Sequence, residues 1–116
     1  MPDPTPTDVT SAALVRTDRP ARYGKQLVAH LNRRSTGEWD EAAGAGWIQF
    51  SGGRAVLTAA AEGLDLRLTA EGAEHLALLE GVVGRHLVRF GTRDELVVRW
   101  VRADGAEGTV QEHVAD

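Results

Sequence analysis

The stretch Glu71–Phe90, EGAEHLALLEGVVGRHLVRF, indicates what kind of domain this chain forms. Its large apolar side chains recur at intervals of three and four residues, at Leu76, Leu79, Val83, Leu87 and Phe90. That spacing predicts an amphipathic helix with one buried stripe. Thr69 is a candidate cap for the start of this helix, and Gly91 is a candidate stop.

The segment before this helix alternates between apolar and polar side chains. Leucine occupies positions 64, 66 and 68, and polar residues occupy positions 65, 67 and 69. An antiparallel sheet with one face in the core and one face in water produces this alternation. We therefore expect a sheet that is covered by helices on one side only.

Shorter strands and one further helix account for the rest of the chain. The first helix is predicted over Pro20–Arg34 with Asp18 as its cap, and the Ser-Gly-Gly at positions 51–53 predicts a hairpin turn. Strands are predicted over Ser11–Arg16, Gly37–Glu41, Trp47–Phe50, Arg54–Ala60, Leu64–Thr69 and Glu95–Arg102. The order β-α-β-β-β-β-α-β predicts an α+β domain, with two helices packed on one face of an antiparallel sheet.

A chain of 116 residues suits one domain, which is predicted over residues 11–102. Residues 1–10 carry prolines at alternate positions and are predicted to be a flexible leader. Residues 103–116 are predicted to be a polar tail, and a short extra strand at Thr109–Val114 is the alternative.

Charge and composition narrow the functional classes. The net charge of −4 argues against a nucleic-acid partner. No apolar run approaches the ~20 residues that cross a bilayer, so no membrane association is expected. The chain has no cysteine and no N-terminal signal sequence, and a cytoplasmic location is expected.

Several short motifs resemble a bacterial family of unassigned activity, domain of unknown function 2218. The matching residues are Arg22-Tyr23, Lys25-Gln26-Leu27, His30, Gly46-x-Ile48-x-Phe50, Gly52-Gly53-Arg54, His86-Leu87-x-Arg89-Phe90, Glu95-Leu96 and Trp100. The similarity covers about Ser11 to Arg102, and Ala55 stands where many relatives carry cysteine. Because such modules sometimes accompany siderophore-interacting flavoprotein reductases, the resemblance implies a role near iron–siderophore utilisation. It carries over no catalytic residues.

His30 and His86 are the candidate ligand-binding or metal-binding residues. Each lies near the C-terminal end of a predicted helix, at the edge of its apolar stripe. If the helices pack side by side, the two imidazoles face one cavity and bind a metal or haem. The alternative is that each imidazole bonds locally and complements the negative end of its own helix. His75 is too far away to join His86, since eleven residues of helix span about 16 Å.

The sheet face opposite the helices is the second candidate site. The side chains predicted to share it are Trp47, Val56, Arg67, Val97, Arg99 and Val101. Aromatic residues and arginine are enriched at protein interfaces, and arginine stacks on tryptophan. The sequence therefore predicts a homodimer interface on this face, with coverage by the C-terminal tail as the alternative.

Two further groups of residues leave alternatives open. Glu38, Asp40 and Glu41 form either a set of acid–base or metal-binding carboxylates or a solvated strand edge. Gly81 and Gly84 lie inside the second helix, where glycine is unfavourable, so they predict either close packing or a groove for a ligand.

No catalytic motif emerges from the sequence, which lacks a Walker loop, a nucleophile-elbow serine and a His-Glu-x-x-His pair. We therefore expect a binding or accessory module, with a second copy of the chain or an iron-handling protein as its partner. No cofactor is expected in this interpretation, and the alternative is a metal or haem at His30 and His86.

Overall fold

Two helices and seven strands follow one another in the part of the chain that the structure describes, residues 9–32, 35–90 and 95–112. The structure is a computed structural model. In chain order the elements are β1 (Val9–Arg16), α1 (Pro20–Leu31), β2 (Thr36–Asp40), β3 (Ala45–Phe50), β4 (Gly53–Ala59), β5 (Gly63–Ala70), α2 (Ala73–Phe90), β6 (Val97–Arg102) and β7 (Glu107–Glu112). The predicted order is confirmed, and β7 follows it as one more strand.

The seven strands form one sheet in the order β2-β3-β4-β5-β1-β6-β7. Every neighbouring pair is antiparallel. The first strand of the chain, β1, inserts beside β5 and pairs with it from Val9↔Ala70 to Arg16↔Gly63. The predicted hairpin between β3 and β4 is confirmed. Its turn uses Gly52, whose φ of 84° is a left-handed conformation that glycine adopts freely.

Both helices lie on the same face of the sheet, as the α+β prediction requires. α1 packs over β2 to β5, and α2 packs mainly over β7, β5, β1 and β6. The two helices also contact each other. Most strand residues that point toward the helices are buried, and the residues between them are exposed or half-buried, so the alternation in the sequence marks the two faces.

The core lies between this covered face and the helices. The leucines of β5 at positions 64, 66 and 68 are at most 1% exposed, and Trp100 of β6 is fully buried. The stripe of α2 packs against them through Leu76, Val83 and Leu87. Each such side chain contributes roughly 1.5–3 kcal/mol on burial. Phe50 and Phe90 are half-buried and pack against this core.

The predicted helix caps are wrong. α2 begins at Ala73, so Thr69 lies in β5 and does not cap the helix. α1 has no side-chain cap, so Asp18 does not serve as one. Pro20 begins α1 as predicted. Proline is tolerated there because the N–H group of the first helical residue has no hydrogen-bond acceptor within the helix. The predicted stop at Gly91 lies outside the described residues.

The predicted polar tail is wrong for residues 107–112, which form β7 and pair with β6. The alternative of a short extra strand is the correct one, although its boundaries lie two residues earlier. At the other end, Val9 and Thr10 begin β1 rather than ending a leader. Residues 1–8 and 113–116 lie outside the described part of the chain. Neither described helix combines the length and the apolar character needed to cross a membrane.

Candidate functional site

The face of the sheet opposite the helices, hereafter the open face, carries all six predicted interface residues. Four of them, Trp47, Val56, Arg67 and Val101, belong to one row that crosses the sheet from β3 to β6. In that row Trp47 pairs with Val56, Val56 with Arg67, Arg67 with Ala12, and Ala12 with Val101. The other two are the β6 residues at positions 97 and 99, which have the same orientation as Val101 and are exposed.

Large apolar side chains on the open face reach solvent. Their exposed fractions lie between 38% and 51%, at Leu14, Val56, Val97, Val101 and Val110. The described C-terminal residues do not cover them, because β7 extends the sheet sideways. The predicted alternative of a covering tail therefore fails for residues 107–112.

Two arginines of the open face, Arg54 and Arg67, have partners within the chain. The Arg54 guanidinium lies 4.8 Å from the centre of the Trp47 ring, which is a cation–π contact. Arg67 Nε donates to Asp65 Oδ2 at 3.1 Å, two residues along the same strand. The open face therefore combines exposed apolar side chains with charged side chains, and Arg54 and Arg67 are held over it by local contacts.

The predicted carboxylate cluster lies on the edge strand β2 and the turn after it. Asp40 Oδ1 accepts hydrogen bonds from the backbone N–H groups of Ala42 and Ala43. Glu41 forms an exposed ion pair with Lys25. A shallow groove of about 620 Å³ runs from these acids to Trp47. These partners support the interpretation as a solvated strand edge.

The structure brings together the two histidines that the sequence singled out. The ring centres of His30 and His86 are 5.0 Å apart, and the ring planes are tilted by 47°. His86 Nδ1 lies 2.6 Å from the carbonyl oxygen of Val82, one turn earlier in α2. Phe90 approaches His30 edge-on at 5.1 Å. The structure thus contains features of both sequence-based alternatives, because the two imidazoles lie side by side and His86 also forms a local hydrogen bond.

The remaining histidines do not join this pair. His75 packs its ring against the turn at Gly52, and His113 lies outside the described residues. Within residues 9–32, 35–90 and 95–112, no three His, Cys, Asp or Glu side chains are arranged to hold a metal ion.

A buried polar network joins α2 to the two last strands. The Glu80 side chain is fully buried, and its carboxylate accepts bonds from Arg102 Nη2 at 3.0 Å and from Arg102 Nε at 3.3 Å. The backbone N–H and the hydroxyl of Thr109 also donate to it, at 3.1 and 3.0 Å. Next to it, Trp100 Nε1 donates to Gln111 Oε1 at 2.7 Å, and Gln111 Nε2 donates to Thr109 Oγ1.

The network determines the ionisation of Glu80. Burial by itself raises the pKa of a carboxyl group, but the hydrogen bonds from Arg102 and Thr109 outweigh it and hold the Glu80 pKa below its ordinary value. The nearby Ser11 hydroxyl also lowers the Glu80 pKa. Among the described residues, however, no partner lies in hydrogen-bonding geometry to Ser11 Oγ. The same hydrogen bond to Glu80 is the main reason that the Arg102 pKa is raised. Glu80 is therefore a buried anion that is paired with Arg102.

The glycines of α2 provide room for side chains. A Cβ atom at Gly84 would lie 2.0 Å from Gln111 Oε1, so the bare backbone lets the Gln111 amide reach Trp100. A Cβ atom at Gly81 would meet the Arg85 guanidinium. The contact at Gly84 supports the close-packing interpretation, whereas at Gly81 the exposed Arg85 side chain can move aside.

One family of known sequences covers most of this domain. The family described as "Uncharacterized protein conserved in bacteria (DUF2218)" matches residues 12–101. The chain belongs to the DUF2218 family. No curated protein and no solved structure matches this DUF2218 chain.

The motif residues of the DUF2218 domain have identifiable physical roles. At the β3–β4 turn, a Cβ atom at Gly53 would lie 2.3 Å from Leu79 Cδ1, so this glycine allows α2 to pack closely on the sheet. The next residue, Arg54, stacks on Trp47. His30, His86 and Phe90 meet where the two helices end.

The Glu80 network was not predicted from the sequence of the DUF2218 chain. A signal for it exists, because Glu80 lies four residues after Leu76 and three before Val83, inside the apolar stripe of α2. A carboxylate in such a stripe requires a buried partner. Nothing in the sequence shows that Thr109 and Arg102 supply it, because both belong to strands whose pairing is decided by the fold.

Proposed function

We propose that this DUF2218 chain is an interaction module that acts as a homodimer, and that the open face is its contact surface. One observation carries the proposal. Seven strands present a face that neither helix covers, and that face exposes one leucine and four valines beside Trp47. Several exposed apolar side chains on one surface are characteristic of protein interaction sites.

The size of the open face suits a second copy of the chain. Seven strands about 4.8 Å apart, each about six residues long, give a face of roughly 29 by 20 Å, or about 600 Å². Two such faces bury about 1,200 Å² together, which is the lower end of the range for specific protein interfaces. Two sheets packed face to face also form an apolar layer about 10 Å thick, as in β-sandwiches.

Pairing through the sheet edges is a less favourable mode of assembly. Edge strand β2 carries Glu38 and Asp40, and edge strand β7 carries Glu107 and Glu112. Charges on edge strands discourage pairing with another sheet, and like charges repel when two copies approach edge to edge. The open face therefore remains the preferred contact between copies.

The charges of the open face favour one two-fold arrangement. Consider a two-fold axis that lies between the two facing sheets, runs perpendicular to the strands and passes over Leu66 of β5. This axis places Arg67 of each copy opposite Asp65 of the other copy. The same axis sets Trp47 over the small Ala45 of the partner copy. An axis along β5 instead stacks the two copies of Arg67 on each other, which is repulsive. The perpendicular axis is therefore the arrangement we infer.

Charge reversal tests this arrangement. Arg67→Glu alone and Asp65→Lys alone each place like charges across the interface, so each variant should be monomeric at micromolar concentration in light scattering or sedimentation. An equimolar mixture of the two variants should form a heterodimer, because each mutant side chain then meets its opposite. Circular dichroism should show that both variants are folded.

These experiments test separately whether a dimer forms, which surface forms it and how the two copies are oriented on that surface. A wild-type monomer at these concentrations refutes the homodimer proposal. A wild-type dimer that both single variants retain refutes the two-fold register. A dimer that also persists in the Trp47→Glu variant refutes the open face as the contact surface.

The link to iron–siderophore utilisation is a separate proposal, supported only by the resemblance described above. It predicts that a strain lacking this protein grows more slowly when siderophore-bound iron is the sole iron source. Complementation with the wild-type chain should restore growth. Equal growth of the deletion strain and its parent contradicts the link.

A further inference from the structure

Two imidazoles from different helices meet at the ends of those helices. His30 lies in the last turn of α1 and is exposed, and His86 is half-buried near the end of α2. Their ring centres are 5.0 Å apart. Both rings are therefore accessible from solvent and close to each other.

This separation is compatible with two imidazoles bound to a single tetrahedral metal ion. A Zn–N bond of about 2.0–2.1 Å places each ring centre roughly 3.2 Å from the metal, and the tetrahedral angle then separates the two centres by about 5 Å. Two imidazoles on opposite sides of a haem iron require a larger separation, roughly 6.4 Å, with the porphyrin between the rings. The geometry favours a bare ion over haem.

The hydrogen bond of His86 prepares the ring for coordination. A carbonyl oxygen only accepts, so the contact with Val82 O requires the proton on Nδ1. In the neutral ring the lone pair then lies on Nε2, which is the usual arrangement for a metal-bound histidine with a backbone partner. His30 has two ring nitrogens, and coordination of a metal uses only one of them.

We propose that His30 and His86 form a two-imidazole site for a divalent transition-metal ion of the zinc, nickel or copper class. Imidazole nitrogen prefers these ions to calcium or magnesium, which take oxygen ligands. No third protein ligand is arranged nearby among the described residues, so water or an external ligand completes the coordination. An ion held in this way ties the end of α1 to the end of α2.

The environment of the site limits its affinity. Arg89 lies one turn beyond His86 on α2 and is exposed. Its positive charge repels a cation, and added salt screens that repulsion. A metal ion binds only the neutral imidazole, so binding weakens in acid.

Titration of the full-length, untagged chain with zinc or cobalt tests the site. Isothermal calorimetry should show one ion per chain, and bound Co²⁺ should give the visible bands of four-coordinate geometry. Loss of a group that only orients a metal ligand costs roughly 10–100-fold in affinity, so His30→Gln and His86→Gln should each lose at least that much.

His75→Gln is the matched control. His75 belongs to the same helix but lies eleven residues before His86, about 16 Å away along the axis. This variant should bind the ion as the wild type does, and circular dichroism should show that all three variants are folded. The proposal is overturned if the wild type binds no ion, or if His30→Gln and His86→Gln bind it as tightly as His75→Gln.

Discussion

Replacement of Glu80 by alanine should destabilise the domain severely. The carboxylate accepts four hydrogen bonds, two from Arg102 and two from Thr109, in a site closed to solvent. Removing one partner of a buried ion pair costs about 3–5 kcal/mol. The Arg102 side chain is 25% exposed and can turn to water, so we expect the lower end, about 3 kcal/mol. That is a large part of the 5–15 kcal/mol by which a domain is typically stable.

Denaturation in urea, followed by circular dichroism, measures this loss. The matched control is Glu41→Ala, which removes an exposed ion pair with Lys25 and should cost about 0–1 kcal/mol. A double-mutant cycle with Arg102→Ala should give a coupling energy of about 0.5–3 kcal/mol between positions 80 and 102. If Glu80→Ala costs no more than Glu41→Ala, the network does not contribute in the way described here.

The same carboxylate makes stability depend on pH. The folded-state pKa of Glu80 is lowered from 4.5, so its contribution is complete above about pH 4.5 and is lost as the pH falls through the lower, folded value. The difference in unfolding free energy between the wild type and Glu80→Gln should therefore shrink on acidification. A difference that stays constant or grows between neutral pH and pH 3 contradicts the lowered pKa.

Four further substitutions test packing and the open face. Gly84→Ala places a methyl group 2.0 Å from Gln111 Oε1, so it should cost about 1–3 kcal/mol in urea denaturation despite the better helix propensity of alanine; a stabilised variant would refute this contact. Leu66→Asp buries an unpaired charge and should unfold the domain, whereas Val101→Asp, at a site that is 51% exposed, should leave the chain folded. Circular dichroism distinguishes the two outcomes, and equal spectra for the two variants would contradict the assignment of the two sheet faces. Trp47→Glu should yield a folded monomer in light scattering, and a folded dimer would show that the contact lies elsewhere.

Local patterns were sufficient to predict both helices and the first six strands of this domain. The leucine alternation in β5 and the stripe of α2 depend on residues close in sequence, and each pattern has one strongly favoured geometry. The helix caps were less predictable. A residue such as Thr69 can cap a helix only if the preceding strand ends before it. Here β5 continues to Ala70, because Ala70 still pairs with Val9 of β1 and Gly53 of β4.

The composition of the open face could also be predicted, because its residues alternate with core residues along each strand. Its arrangement could not. The row from Trp47 to Val101 exists because β1 inserts between β5 and β6, and nothing local to β1 specifies its neighbours. Likewise, helical spacing identified His30 and His86, but only the packing of α1 against α2 decides that the rings are 5.0 Å apart.

Apolar periodicity is enough to predict the fold class, the covered face of the sheet and the candidate site residues, because it follows burial directly. The structure of the C-terminal segment depends instead on contacts between residues that are distant in the chain. Two polar side chains of β7 point inward, the half-buried Thr109 and the buried Gln111. Thr109 donates hydrogen bonds to Glu80, and Gln111 accepts one from Trp100. A hydrogen-bonded partner makes burial of a polar group tolerable, and that partner is 29 residues away in the chain for Thr109 and Glu80. Such a pairing leaves no local pattern in the sequence.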